Sequence, residues 1–152
     1  MPDSLPKWIT LDEDAVLTRL SGPEVTALKA AAKAPGQSNP LPEIVLQVVA
    51  SLREAVGQNR DNVLADGQTI PFSAVRHALA LIRSALVTRL PNLATALLDE
   101  VRRDETKAAE RWLLSKSLVA KPDDAAPDDE QIWCRALASG STSQAVSLNG
   151  PV

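Results

Sequence analysis

The sequence predicts an all-α protein: a small bundle of about five helices, two short and three long, followed by an extended C-terminal tail. Three observations carry this reading. Apolar residues recur every three or four positions through the long segments, as in Val75, Leu79, Ile82, Leu86 and Leu90, which share one stripe of a helix. Prolines stand at the edges of such segments, as Pro71 and Pro91 do, where a missing amide donor either costs nothing or ends the helix. The core must also be built from Ala, Leu, Val and Ile, because aromatics make up only 3% of the chain, as Trp8, Phe72, Trp112 and Trp133. Such side chains bury less area each than aromatics do, so modest monomer stability and a gain from oligomerisation are expected.

The elements follow in order. Thr10-Leu11-Asp12-Glu13 has capping-box spacing and opens a short helix from about Leu11 to Leu20. Ser21-Gly22-Pro23-Glu24 repeats the device and opens a second, to about Lys33, through Val25 and Leu28. A breaker cluster, Pro35 to Pro40, separates this pair from the rest, with Asn39 placed to cap the third helix. That helix spans about Leu41 to Asn59, with Ile44, Val45, Val48, Val49, Leu52 and Val56 inside and Gln47, Ser51, Arg53, Glu54 and Gln58 outside.

A loop from Arg60 to Ile70 leads to the fourth helix, framed by Pro71 and Pro91 over about 19 residues and roughly 28 Å. The fifth is expected from Leu93 to about Ala120. Its inner face would carry Leu97, Val101, Ala108 and Trp112; its charged outer face would include Arg102, Glu105 and an Asp99–Arg103 pair at i, i+4. These helices make a domain of residues 1–120. Residues 121–152 read as a tail, since Pro122 to Glu130 and Ala138 to Val152 offer too little apolar surface to offset the entropy of ordering them. Within it, the 132–137 segment, with Ile132, Trp133 and Leu137, is an apolar anchor suited to docking on a partner or on the bundle.

Charge and composition exclude several classes. The net charge of −3, with both signs interspersed, does not supply the concentrated basic footprint of a nucleic-acid grip. Cys134 is the single cysteine, so no intrachain disulfide or cysteine-based zinc site is expected. Met1-Pro2-Asp3-Ser4 lacks a signal-peptide pattern and no apolar run approaches the roughly 18 residues of a membrane span, so a cytoplasmic protein is the simplest fit.

No catalytic constellation emerges, and neither cofactor nor metal is expected. His77, the single histidine, lies off the apolar stripe without a positioned partner and reads as a surface or interface side chain. Cys134 has no neighbour that would activate it. The acidic residues Asp123, Asp124 and Asp128 to Glu130 lack the alternating ligand spacing and turn glycine of a calcium loop. Gly-rich phosphate loops and paired metal histidines are missing too. Arg83 and Arg89 stand out because their neighbours on the fourth helix are apolar. Two roles are open for them: snorkelling or helix capping within the subunit, and ion pairing between subunits.

The series Trp8-Ile9-Thr10-Leu11, Val16 to Ser21, Asn62-Val63-Leu64, Thr69-Ile70-Pro71, Ile82-Arg83 and Thr88-Arg89-Leu90-Pro91 resembles the Mu-like phage and prophage proteins grouped with head-tail connector (adaptor) proteins. The likeness covers roughly residues 8 to 120 and rests on short helix-delimiting motifs rather than on a catalytic signature. It implies a helical, non-enzymatic subunit of the virion neck. Such subunits form a homo-oligomeric ring, commonly twelvefold, under the portal protein, and offer a docking surface to a tail or stopper protein. DNA passes through the ring without sequence-specific binding, and no membrane is involved. Under this resemblance Arg83, Arg89, Ile132, Trp133 and Leu137 are the candidate subunit or portal interface. A helical adaptor or regulator acting as monomer or dimer is the alternative, with the fifth helix as its recognition surface.

Overall fold

A computed structural model describes residues 6–32, 35–36, 38–93 and 100–123. Within them the chain is a helical bundle with one small antiparallel strand pair. The order is β1 (Trp8–Thr10), α1 (Glu13–Arg19), α2 (Gly22–Ala32), α3 (Leu41–Gly57), β2 (Thr69–Pro71), α4 (Val75–Arg89) and α5 (Glu100–Leu114). Single 3-10 turns, Phe72–Ala74 and Pro91–Leu93, precede and follow α4.

Helix α3 forms the apolar centre. Its six predicted inner residues are all buried, together with Leu41 and Ala55, and α4 packs against it through a core that includes Val75, Ala78, Ile82 and Leu86. Leu79 is only partly buried; the alanines at 78 and 80 take the inner positions. Fully buried Leu41, Ile44, Leu52, Ile82 and Leu86 each contribute about 1.5–3 kcal/mol of burial energy. Helices α1 and α2 close one side of this core through Val16, Leu20 and Leu28.

The N-terminal signals act one step away from their expected places. Asp12, not Thr10, caps α1, its carboxylate accepting from the Ala15 amide at 2.8 Å. Thr10 is instead the last residue of β1, paired with Thr69, while Ile9 pairs with Ile70 and Trp8 with Pro71. Pro71 therefore ends a strand rather than opening α4, which begins four residues later at Val75. Its extended backbone and lack of a donor are tolerated at this position because the sheet has only two strands. Asn39 lies one residue before the N-cap of α3, Pro40, and its Oδ1 accepts from the Leu41 amide at 3.1 Å.

The largest correction concerns α5. Leu97 and Asp99 lie outside the described residues, but Val101 is 68% exposed and Ala108 is exposed as well. The inward stripe is Arg102, Glu105, Thr106, Ala109, Trp112 and Leu113, rotated by about one residue from the predicted one and polar at its N-terminal end. The helix ends at Leu114, not near Ala120. There Lys116 takes a left-handed backbone (φ 49°) and the 115–123 stretch turns back across the bundle as a strap. Among the described residues no helix is long and apolar enough to cross a membrane.

Candidate functional site

Among the described residues, the buried polar cluster is built around Glu24. The Ser21-Gly22-Pro23-Glu24 box makes one of its two bonds, the Ser21 amide donating to Glu24 Oε2 at 2.6 Å. Glu24, Leu28 and Ala31 also share a helical stripe, so the carboxylate that caps α2 points into the core and is only 1% exposed. Burying a carboxylate requires opposite charge and hydrogen bonds. Both are supplied. Arg83 Nε on α4 donates to Glu24 Oε1 at 2.9 Å, and Arg102 Nη1 on α5 contacts the same oxygen. One carboxylate thus joins three helices through two guanidinium groups. Removing the carboxylate would leave two guanidinium groups uncompensated, and breaking a buried pair in that way typically costs about 3–5 kcal/mol, whereas removing one arginine leaves Glu24 the other.

Arg83 is therefore placed as an intrachain ion-pair partner, only 12% exposed. Arg89 lies at the surface end of α4, where its Nη1 meets Glu43 Oε2 at 2.8 Å, with both side chains about half exposed. This pair edges an open hollow of about 210 Å³ lined also by Gly36, Ser38, Pro40 and Leu90. The structure keeps the two arginines at different sites, one sealed and one open to solvent. Ile132, Trp133 and Leu137 lie outside the described residues, as do Cys134 and the acidic residues from Asp124 onward.

A second polar constellation holds the strap. Asn62 acts as its hub: Oδ1 accepts from the Val119 amide (2.9 Å), while Nδ2 donates to the carbonyls of Ser117 (2.8 Å) and Val56 (2.9 Å). Asn59 donates to the Lys116 carbonyl at 2.9 Å, and Trp8 Nε1 to the Ala120 carbonyl at 2.7 Å. Lys7 pairs with Asp123 at 2.8 Å and holds its carboxyl below the usual value. Beneath the strap, Trp8, Val56 and Ala65 form a small apolar cluster that Trp112 and Val119 complete.

His77 faces this region and stacks on Trp112, ring centroids 5.4 Å apart and planes at 22°. Burial, and then the adjacent Arg76 guanidinium, hold its imidazole below the ordinary value of 6.5. It is an interhelix packing group, joining α4 to α5. Arg53, expected outside, binds the carbonyls of Thr69 (2.6 Å) and Ala65 (2.8 Å) and so fixes the loop before β2.

Sequence reasoning saw Glu24 only as a cap and placed Arg102 on an outer face. A signal for the first was present: a carboxylate in register with Leu28 and Ala31, and an arginine at 83 beside an apolar stripe, each needing the other. Among the described residues no group of three or more His, Cys, Asp or Glu side chains is disposed to hold a metal ion. No protein-family model, curated protein or solved structure matches this chain.

Proposed function

We propose that this chain is a structural head-tail connector (adaptor) subunit of a Mu-like tailed phage or prophage. It would assemble as a ring under the portal and join head to tail without catalysing a reaction. The observation that supports the reading is where the resemblance-bearing motifs fall. Trp8-Ile9-Thr10 and Thr69-Ile70-Pro71, some 60 residues apart in sequence, are the two strands that pair with each other. Asn62 of the third motif anchors the strap, Ile82-Arg83 contributes to the core and to the Glu24 cluster, and Thr88 to Pro91 ends α4. The likeness thus follows the frame of the bundle, as expected of a protein whose work is to hold shape and to pack against copies of itself. Ring neighbours meet through heterologous surfaces, and Arg89, half exposed beside an open hollow, is the described member of the candidate interface that a neighbour can reach.

Light scattering across a wide concentration range tests this. A closed assembly of many subunits supports the connector. A strict monomer in isolation that also fails to bind a portal ring counts against it, and turns attention to the helical adaptor acting alone.

A further inference from the structure

We infer that α5 and the strap, residues 100–123, form a releasable arm, latched to the α1–α4 body through the Glu24 carboxylate, and that this arm opens as one unit while the body stays folded. The inference does not rest on the connector reading. Three features of the arm lead to it.

The first is how little apolar surface secures it. Ala109 is the one fully buried residue of α5, with Trp112 and Leu113 partly buried, whereas Val101, Leu114 and Leu118 stand 68%, 82% and 72% exposed. The second is the kind of attachment. From end to end the arm is held by Glu24–Arg102, Arg76–Glu105 at 3.2 Å, the His77–Trp112 stack, the Asn59 and Asn62 amides, the Trp8 indole and Lys7–Asp123. Most of these are polar bonds that water replaces on opening. The apolar contacts are those of Ala109, Trp112 and Leu113 and the small cluster of Trp8, Val56, Ala65 and Val119, so separation costs less than exposing a continuous apolar face of equal length would.

The third is the asymmetry of the latch itself. Glu24 is bonded to Ser21 and Arg83 within the body, so when Arg102 leaves, the buried carboxylate keeps a cap and a countercharge. Arg102, whose side chain is a quarter exposed while its Nη1 is buried against Glu24, carries its charge into water on release. Breaking a buried ion pair is costly chiefly when it strands a charge, and here neither side is stranded. Arg83 is the permanent partner of Glu24 and Arg102 the detachable one.

Native-state hydrogen exchange on the full chain, read helix by helix, tests the arm. In the unaltered protein, α5 amides should exchange at least roughly tenfold faster than the slowest α3 amides, through a shared sub-global opening. Arg102→Met keeps the apolar stem and leaves Glu24 paired with Arg83, so it should lower the protection of α5 and the strap together while α2 and α3 stay as they were. Equal protection of α3 and α5 in the unaltered protein, or an equal fall in both helices in Arg102→Met, would show one cooperative unit and overturn the proposal.

Discussion

Helices α3 and α5 are of similar length, 17 and 15 residues, and both lie against α4, yet they are held there by opposite means. Helix α3 turns eight buried residues inward, from Leu41 through Leu52 to Val56, and every one is apolar. Helix α5 turns inward an arginine, a glutamate and a threonine before it reaches Ala109, Trp112 and Leu113. Apolar contact is non-directional and cannot be lost piecemeal without opening a cavity, whereas ion pairs and amide bonds are directional and exchange with water. One face of α4 therefore meets the rigid part of the molecule and another meets a part secured bond by bond.

The largest effect is expected in α3. Leu52 is completely buried, and Leu52→Ala should cost about 2–5 kcal/mol, shifting the denaturation midpoint of α1 to α4 together because the body unfolds as a unit. If hydrogen exchange showed α1, α2 and α4 keeping the protection that α3 loses in this variant, the body would not be the single unit described. A smaller and more local effect is expected at Asn62, whose side chain serves three backbone groups. Asn62→Ala leaves the Val119 amide and the Ser117 carbonyl without that partner, at a cost of about 1–3 kcal/mol. Exchange should quicken along 115–123 and not in α3.

Those two residues also show what sequence makes legible. The body of the fold was readable because its forces are periodic: the α3 stripe, the proline at the end of α4 and the breaker cluster before Leu41 are local patterns with one physical outcome. Leu52 could be placed without any knowledge of its neighbours. Asn62 could not, since its role depends on where a strap more than 50 residues later returns. The same holds for β1 and β2, each three residues long and meaningful only as a pair. In α5 the charged residues hide the true inner face. An inward arginine looks identical to an outward one until the carboxylate from α2 is in place, and so a rotation of one residue went unseen.

A change of pH acts on the α4–α5 contact through His77. Because burial and Arg76 hold His77 below 6.5 in the folded chain, the unfolded chain binds more protons as pH falls through that value. The contribution of His77 is therefore fully present above pH 6.5 and is lost as pH falls toward its depressed folded value. Acidification from about pH 7.5 to about pH 5.5 should loosen the α4–α5 contact, read as a change in Trp112 fluorescence, before the carboxylates titrate. His77→Phe keeps a ring for Trp112 to stack on but has no proton to gain, so its Trp112 signal should be flat over this range. A matching drop in the variant would assign the effect to other groups.

The smallest expected effect on stability is the most telling for assembly. Arg89 pairs with Glu43 in the open, at 2.8 Å with each side chain about half exposed, and such a pair is worth roughly 0–1 kcal/mol. Arg89→Ala should leave the denaturation midpoint nearly unchanged. If the same variant assembled normally by light scattering, Arg89 would be an intrachain surface pair and nothing more. A folded Arg89→Ala protein that no longer forms the assembly would mean that the guanidinium is desolvated by a neighbouring subunit, where losing one charge of a buried pair costs several times what it does in water. The equivalent substitution at Arg83 cannot make this distinction. Its side chain is sealed against Glu24, so loss of fold and loss of assembly would arrive together.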